Sequence, residues 1–477
     1  MKPLSAIAAL LATAPLLAAA PPIRAAAPAK PLTRTTFHFS FAQQPPDNAT
    51  PVFPDTLYSP EKGFGFEPDT NVPGPGIQPM PATQPSLQST NAAITSNDRF
   101  IFSVAVPPGN YTVTLTLGNP DTAAVTTVKA EARRLMLDQI HTQKGEFVKK
   151  SFTVNVRSPH ITGDGDVKLD PREPGSFTWD DKLSLEFIGT HPSVSALDIQ
   201  KADHVTTVFL CGDSTVTDQP RDPYGTWGQM LPAFFKPSVS VANYAESGET
   251  LKAFKFENRW DKVMSEVRPG DYVFLQFGTN DLNKSGRNAM WPADQPSGDW
   301  SKTYSEANTD YKKLLEDYSA QIKAKGATAV IVSPMTKIDM RSGEVNAAGL
   351  RDYPQAAVAA AKESNTALID LNAMSVQLVK ALGPTLAPRA YVEGLHSKDY
   401  GGYLFARCIV QGIRDDHLPL ANDLNDLATP FDPTHPEPLP DAFTLPLEPT
   451  PPMRFGMGRG RGGFRGRGAA SQPAPVR

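Results

Sequence analysis

The chain has few cysteines and no sign of a metal site. Its 477 residues include only Cys211 and Cys408. An exported protein can pair two cysteines in a disulfide, but both lie in apolar, core-type patterns, where a free thiol behaves as a small hydrophobe. We therefore expect two buried, unpaired thiols. The 8 histidines are scattered without H-x-x-x-H spacing, so the sequence predicts no metal and no cofactor.

The chain also lacks a strong excess of charge. It carries 46 basic and 50 acidic residues, and its Arg/Gly-rich segment is confined to residues 454–468. Such repeats can bind single-stranded nucleic acid, but the balanced charge gives no field that would favour nucleic acid or a membrane surface. We expect no nucleic-acid partner. From about residue 430 the chain is rich in proline, so residues 430–477 are predicted to be a disordered tail.

Long apolar runs are absent except at the start. Leu4–Leu17 is apolar but shorter than the roughly 20 residues that a spanning helix needs. Lys2 precedes it, and small residues follow it at Ala18–Ala20 and Ala25–Ala27, which is typical of a signal peptide. We expect residues 1–27 to be removed, no membrane span, and export to the periplasm or the extracellular space.

Residues 34–200 have the pattern of an all-β region. Short segments alternate apolar and polar residues, as half-buried strands do. They are residues 37–41, 100–106, 111–117, 152–156 and 183–188. Turn-forming residues separate them and no long helical period intervenes, so this half is predicted to be a β-sandwich.

The pattern changes near residue 205, where apolar strands begin to alternate with helical periods. The strands are predicted at 205–210, 239–242, 272–277, 329–332 and 367–371. The helices are predicted at 227–235, 260–267, 304–324, 353–361, 375–382 and 400–414. This alternation is typical of a doubly wound parallel sheet, so residues 205–420 are predicted to form an α/β domain.

The most informative motif is Gly212-Asp-Ser-Thr215, which directly follows the first of these apolar strands. A serine there lies at the carboxyl edge of the sheet, where open α/β sheets carry out chemistry. Three further segments follow it. They are Asn-Tyr-Ala-Glu-Ser-Gly at 243–248, Gly-Thr-Asn-Asp at 278–281 and Glu-Gly-Leu-His at 393–396.

Together these segments supply the parts that acyl transfer needs. Ser214 needs a base, and His396 is the candidate. Glu393, three residues earlier, can accept the proton of the other ring nitrogen and fix the tautomer. The backbone N–H groups of Ser214 and Gly248 and the side-chain amide of Asn280 can hold an oxyanion.

This set resembles the SGNH (GDSL-like) hydrolases, which are named for such a Ser, Gly, Asn and His. Four segments look more closely like the rhamnogalacturonan acetylesterase group: Asp213–Thr217, Gly225–Gly228, Ala245–Thr250 and Pro269–Phe277. The resemblance implies a flavodoxin-like three-layer catalytic domain that removes acetyl esters from pectic polysaccharide without a cofactor. It also implies that a galactose-binding-like sandwich of the carbohydrate-binding type precedes it.

By this resemblance Ser214 is the nucleophile, His396 the base, and Gly248 and Asn280 are oxyanion donors. One position departs from the family, which usually has Asp three residues before the histidine, where this chain has Glu393. We expect Glu393 to orient His396. A backbone carbonyl or Asp399 is the alternative.

Each residue also has an ordinary interpretation when taken alone. Ser214 can be a helix N-cap, Asn280 a turn residue, and His396 one of several loop histidines. Ser247 is a rival nucleophile, although it lies in a loop whose backbone the mechanism needs as a donor. The occurrence of all the parts at family-like spacing favours the catalytic interpretation.

Substrate contacts are predicted at three positions. Trp227 follows the nucleophile loop and is either a core residue or a platform for a sugar ring. Arg287 and Trp291, with Trp300 nearby, lie in a polar stretch after the Asn280 strand. A guanidinium suits a uronate carboxylate, so Arg287 is the candidate contact for an acidic sugar and Trp291 a candidate second platform. The alternative is that this stretch is a simple exposed loop.

The sequence therefore predicts a secreted serine esterase that removes O-acetyl groups from rhamnogalacturonan, with an acetylated polysaccharide or oligosaccharide as its partner. Two alternatives stay open. One is an SGNH esterase or lipase on other acyl esters, such as acetylated xylan or small esters. The other is a carbohydrate-binding protein without catalytic activity.

Overall fold

The structure is a computed structural model that describes residues 32–68, 86–161, 163, 165–170, 172–283 and 303–437. The predicted signal peptide and residues 438–477 lie outside these ranges. Within them, no helix is long and apolar enough to cross a membrane.

The described part of residues 36–201 consists of strands joined by loops. The strands are β1 (Thr36–Ser40), β2 (Thr50–Pro51), β3 (Phe64–Phe66), β4 (Gln88–Ser89), β5 (Ile94–Thr95), β6 (Phe100–Ala105), β7 (Gly109–Gly118), β8 (Ala124–Ala130), β9 (Arg134–Thr142), β10 (Phe147–Val156), β11 (Lys182–Thr190) and β12 (Ser193–Lys201). The strands predicted from alternation correspond to β1, β6, β7, β10 and β11.

These strands form two sheets with a shared core. The first sheet has the order β10-β7-β12-β1-β2, and β5 and β4 extend it, since β5 pairs with β12 and β4 pairs with β5. The second sheet has the order β3-β6-β11-β8-β9. Phe39 of β1 and Phe102 of β6 meet edge to face between them, with ring centroids 5.3 Å apart. Aromatic residues at alternating strand positions thus fill this core. The specific galactose-binding-like assignment stays a prediction.

The second half alternates strands and helices. Its strands are β13 (Thr206–Gly212), β14 (Val239–Asn243), β15 (Tyr272–Gln276), β16 (Thr328–Val332) and β17 (Ala367–Ile369). Its helices are α1 (Trp227–Met230), α2 (Leu251–Phe256), α3 (Arg259–Glu266), α4 (Lys312–Ala324), α5 (Tyr353–Glu363), α6 (Leu371–Ala390) and α7 (Asp399–Asp415). A π-helical turn, Ala307–Tyr311, leads into α4. Helix α6 is kinked at Gly383, where φ is 66°.

The five strands are parallel and lie in the order β14-β13-β15-β16-β17. This is the flavodoxin-like order, in which the chain reverses direction across the sheet between the first and third strands. Along β13, Val208 and Leu210 enter the core shared with α1, α6 and α7, whereas Phe209 and Cys211 enter the core shared with α2 to α5. Because successive side chains point to opposite faces, the result is three layers, with a parallel sheet between two helical layers.

The two halves share hydrogen bonds at a sheet edge. Strand β10 lies beside β14, with Val154 opposite Val241 in parallel register. Arg134, 1% exposed, donates from Nη1 to the carbonyls of Asn155 and Val241, at 3.1 Å in each case. The parallel sheet therefore continues into the β half.

The first residues of the predicted tail are folded. Phe431 is 6% exposed and packs in the core beside α7, and Glu437 forms an ion pair of 2.7 Å with Arg407. Residues 430–437 are therefore part of the folded domain, because an aromatic side chain and an ion pair anchor this otherwise proline-rich segment. The prediction that disorder starts at residue 430 is therefore wrong for residues 430–437.

The two thiols behave as the sequence predicts. Cys211 and Cys408 are free and buried. Burial raises the pKa of both thiols above the ordinary value, so neither is a nucleophile at neutral pH.

Candidate active site

The serine turn after β13 is held by a relay of buried polar side chains. The Asp213 carboxylate accepts hydrogen bonds from the N–H and the hydroxyl of Thr215, at 2.9 and 2.8 Å. Gln276, at the end of β15, donates to the Thr215 hydroxyl at 2.5 Å. The indole N–H of Trp227 donates to Gln276 at 2.8 Å. The relay fixes the backbone on either side of Ser214.

This relay corrects the expectation that Trp227 contacts sugar. Its side chain is 0% exposed, so it offers no face on which a sugar ring can stack. The indole lies in the core between α1 and the sheet, because its N–H finds a buried acceptor in Gln276.

Ser214 lies within hydrogen-bond distance of the predicted base. Its Oγ is 2.7 Å from Nε2 of His396, which brings together residues 182 positions apart in sequence. The ordinary interpretation of Ser214 as a helix N-cap does not fit, because α1 is capped by the side chain of Thr226. The pair has the arrangement of an activated nucleophile and its base.

Glu393 lies on the other side of the imidazole. Its Oε1 is hydrogen bonded to Nδ1 of His396 and also accepts the His396 backbone N–H at 3.0 Å. Its Oε2 accepts the Leu395 N–H at 3.0 Å. The glutamate thus closes its own turn and contacts the ring from within it.

The charge of Glu393 suits this contact. Burial alone would raise the pKa of this carboxyl, but the hydrogen bond and charge of His396 and the two backbone N–H groups hold it below the usual value. The group is therefore ionised at neutral pH. An ionised acceptor at Nδ1 places the ring proton there and leaves the Nε2 lone pair facing Ser214.

Asp399, the alternative partner for His396, is engaged elsewhere. Its carboxylate lies 3.2 Å from Nζ of Lys129 and 3.1 Å from Nη2 of Arg133. Burial would raise the pKa of Asp399, but these two cations outweigh it and lower the pKa. Among the described residues, Glu393 is the carboxylate hydrogen bonded to His396.

The predicted oxyanion donors lie in loops beside the serine turn. The Glu246 N–H donates to the Gly212 carbonyl at 3.2 Å, which brings the loop of Gly248 next to the end of β13. The Asn280 amide donates to the Glu249 carbonyl at 3.1 Å, so Asn280 supports the same loop. Gly248 has a φ of 89°, a left-handed conformation that favours glycine.

The two backbone donors, unlike the Asn280 amide, are not engaged by the described residues. In the described part of the chain, the backbone N–H groups of Ser214 and Gly248 have no hydrogen-bond acceptor. Unpaired N–H groups beside a nucleophile are what an oxyanion hole requires. Their role in holding an oxyanion stays a prediction.

Ser247, the rival nucleophile, contacts no histidine in the described ranges. Its hydroxyl lies 3.5 Å from the side-chain amide of Gln219, and its carbonyl accepts a bond of 3.1 Å from Arg172. Gln219 also donates to the Ser214 carbonyl at 3.0 Å. Among the described residues no histidine contacts Ser247, so the geometry favours Ser214 as the nucleophile.

Asp281 ties the Asn280 loop to a neighbouring helix. Its two carboxylate oxygens accept the N–H groups of Leu251 and Gly278, at 3.1 and 2.9 Å. Burial raises the pKa of Asp281 to about 7, against the opposing effect of these hydrogen bonds. The carboxyl is thus poised to change its charge near neutral pH.

Sequence reasoning missed the residues that the β half contributes to the site. Arg133 donates to the carbonyls of Tyr224 and Gln219, at 2.8 and 3.3 Å. The Tyr224 ring meets the His396 ring edge to face, with centroids 5.8 Å apart. No local pattern marks Arg133, since its partners lie about ninety positions away. Gln276 did carry a signal, as a polar residue in an otherwise apolar strand.

Arg287, Trp291 and Trp300 lie outside the described residues, so their expected contacts stay predictions. Within the described ranges, no group of three or more His, Cys, Asp or Glu residues could hold a metal ion.

Comparisons with known proteins identify the family of this chain. Residues 210–400 match the GDSL-like lipase/acylhydrolase family. The uncharacterized esterase YxiM of Bacillus subtilis is 28% identical over 368 residues, covering 75% of this chain and 85% of the relative. Rhamnogalacturonan acetylesterase RhgT of Bacillus subtilis is 30% identical over 237 residues, covering 46% of this chain and 93% of the relative. The rhamnogalacturonan acetylesterase of Emericella nidulans is 25% identical over 233 residues, covering 46% and 90%.

The family match spans β13 to the start of α7 and so includes Ser214, Gly248, Asn280 and His396. The chain therefore belongs to the GDSL-like, or SGNH, hydrolases and is a carboxylic ester hydrolase.

Proposed function

We propose that this enzyme removes O-acetyl groups from a pectic polysaccharide of the rhamnogalacturonan type, through an acetyl-enzyme on Ser214. The observation that carries the chemistry is the continuous contact from Glu393 through His396 to Ser214. Support for the substrate comes from relatives named rhamnogalacturonan acetylesterases, which align over almost their whole length.

In the first half of the reaction, Ser214 Oγ attacks the acetyl carbonyl carbon while His396 Nε2 takes the hydroxyl proton. The carbonyl electron pair moves onto oxygen, and the Ser214 N–H, the Gly248 N–H and the Asn280 amide stabilise this oxyanion. When the carbonyl re-forms, the sugar oxygen leaves and takes the proton from His396. The products are a free sugar hydroxyl and the acetyl ester of Ser214.

In the second half, water attacks the acetyl-enzyme while His396 Nε2 takes one of its protons. The oxyanion forms again in the same place and collapses with loss of the serine oxygen, which recovers its proton from His396. Acetate leaves, and the enzyme returns to its starting state. The negative charge of Glu393 stabilises the imidazolium that forms twice in each cycle.

We also propose that the protein is exported, because Lys2 and the apolar run Leu4–Leu17 have the composition of a signal peptide. Export would place the enzyme where plant polysaccharide is found. Detection of the mature protein outside the cytoplasm, with a new N-terminus near residue 27, would support this, and a cytoplasmic protein with an intact N-terminus would contradict it.

The test compares three substrates: acetylated rhamnogalacturonan, acetylated xylan and a short-chain model ester. Wild type should release acetate chiefly from rhamnogalacturonan, and Ser214→Ala should release none. Release from xylan or the model ester alone would keep the mechanism and refute the pectic substrate. No release from any substrate by folded wild type would favour a carbohydrate-binding role.

A further inference from the structure

The loop that follows β16 borders the catalytic site on the side away from the Gly248 loop. At its start, Pro334 packs against Gly278, where an added Cβ would lie 3.2 Å from Cγ of the proline. At its end, the Ile338 N–H donates to the Gly394 carbonyl at 2.9 Å. The loop therefore spans from the strand end that carries Asn280 to the turn that carries Glu393 and His396.

Lys337 projects from this loop and is half-buried. Its aliphatic stem packs on Gly349, where an added Cβ would come within 2.9 Å of the Lys337 Cδ. In the described part of the chain, the ammonium group makes no hydrogen bond and no ion pair. Among the described residues, three other half-buried or buried lysines are paired, Lys129 with Asp399, Lys182 with Glu67 and Lys262 with Glu266, whereas half-buried Lys398 has no ion pair there.

Carboxylates of the catalytic site act electrostatically on the Lys337 ammonium. Burial lowers the pKa of its ammonium, and the charges of Asp213 and Glu393 oppose that effect. These two carboxylates flank the nucleophile and the base. Ile338, the next residue, is hydrogen bonded to Gly394 of the turn that carries Glu393 and His396, so Lys337 is anchored beside the reacting groups.

We propose that Lys337 binds a carboxylate of the substrate, on a uronic acid unit close to the acetylated sugar. This inference rests on the proposed function and names a residue that selects for an acidic polymer. The site carboxylates repel an anionic chain, so an acidic substrate needs a cation at this place. An ammonium that is partly shielded from water and has no partner among the described residues can bind an anion without first breaking an ion pair.

Two substitutions separate the charge from the packing. Lys337→Met removes the charge but keeps a flexible apolar stem against Gly349, and Lys337→Arg keeps the charge. Lys325→Met is the matched control, since Lys325 is exposed and lies before β16, at the opposite edge of the sheet.

The assay uses acetylated oligosaccharides that contain galacturonate, the same oligosaccharides with their carboxyls methyl-esterified, and 4-nitrophenyl acetate. We expect Lys337→Met to raise KM for the acidic oligosaccharides about tenfold, with kcat preserved, and to change the neutral substrates less than about twofold. Lys337→Arg and Lys325→Met should resemble wild type. Added salt should weaken the preference of wild type for the acidic substrate and should not weaken the binding of that substrate to Lys337→Met.

An equal loss on acidic and neutral substrates would overturn the proposal and assign Lys337 to loop structure or to the chemical step. An unchanged KM for the acidic substrate would also overturn it. Failure of the proposed function looks different, because wild type itself would then prefer the neutral substrates while Ser214→Ala stayed inactive.

Discussion

Replacement of Glu393 by glutamine tests the departure of this chain from its family. The carboxylate is hydrogen bonded to Nδ1 of His396 and to two backbone N–H groups of its own turn. Glutamine preserves the size of the side chain, but it removes the charge and turns one acceptor into a donor. Its amide can donate to Nδ1, which would put the ring proton on Nε2 and block proton transfer from Ser214.

The magnitude follows from the charge that forms on His396 during the reaction. Two unit charges about 4 Å apart interact by about 4 kcal/mol at an effective dielectric constant near 20. The Glu393 side chain is 38% exposed, so solvent screening reduces this to about 3 kcal/mol. Since about 1.4 kcal/mol corresponds to a factor of ten in rate, we expect Glu393→Gln to lower kcat by roughly 100-fold.

The assay is the steady-state hydrolysis of 4-nitrophenyl acetate at pH 7, with far-UV circular dichroism as a check on folding. Glu393→Asp keeps the charge but is one methylene shorter, so it should lose only about tenfold in kcat. Glu344→Gln, on an exposed carboxylate in a neighbouring loop, should match wild type. If Glu393→Gln retained kcat within about threefold, the orienting role of Glu393 would be refuted.

Three further predictions concern groups around the reacting atoms. Asn280→Ala should lower kcat about 100-fold or more with little change in KM, whereas Ser247→Ala should remain near wild type. An active Asn280→Ala would refute the oxyanion role of Asn280, and an inactive Ser247→Ala would implicate Ser247 in the reaction. Arg133→Met should lower the free energy of unfolding by about 3 kcal/mol, measured with urea, because Asp399 loses a charged partner in a partly buried site; an unchanged midpoint would contradict this. The pKa of Asp281, raised to about 7, means that its protonated form is favoured by folding, so this group's contribution to stability is full below about pH 4 and is lost as pH rises through about 7. The stability of wild type relative to Asp281→Asn should therefore be greater at pH 5 than at pH 8, and a difference independent of pH would refute the raised pKa.

The sequence was sufficient to predict the α/β half because its signals are local. Apolar runs of strand length alternate with helical periods, and each predicted strand is present in β13 to β17. The short strands β2 to β5 and the strands β8, β9 and β12 were not predicted. Segments of two or three residues are too short for alternation to be recognised.

The site was predictable to the extent that its residues follow strand ends. Parallel strands bring their carboxyl ends to one edge, so Ser214 and Asn280 were expected near each other. The partner of His396 could not be decided from sequence, since Glu393 and Asp399 both lie three residues from it. The structure distinguishes them because Arg133 and Lys129, from the β half, bind Asp399. No local pattern could reveal those contacts.

The role of Trp227 could not be decided from the sequence either. A tryptophan near a nucleophile loop is compatible with a sugar platform or with the core, and burial depends on the helix and strand that pack around it. The deciding contact is with Gln276, 49 positions later. Tertiary packing, rather than the type of residue, determines which role such a side chain has.

The most direct test of the central claim is mass spectrometry of the enzyme after acid quenching during turnover of 4-nitrophenyl acetate. The good leaving group makes deacylation the slower step, so an acyl-enzyme should accumulate. The account predicts one added acetyl group, carried by the peptide that contains Ser214 and absent from Ser214→Ala. An acetyl group on Ser247, or undiminished acetate release by Ser214→Ala, would contradict it.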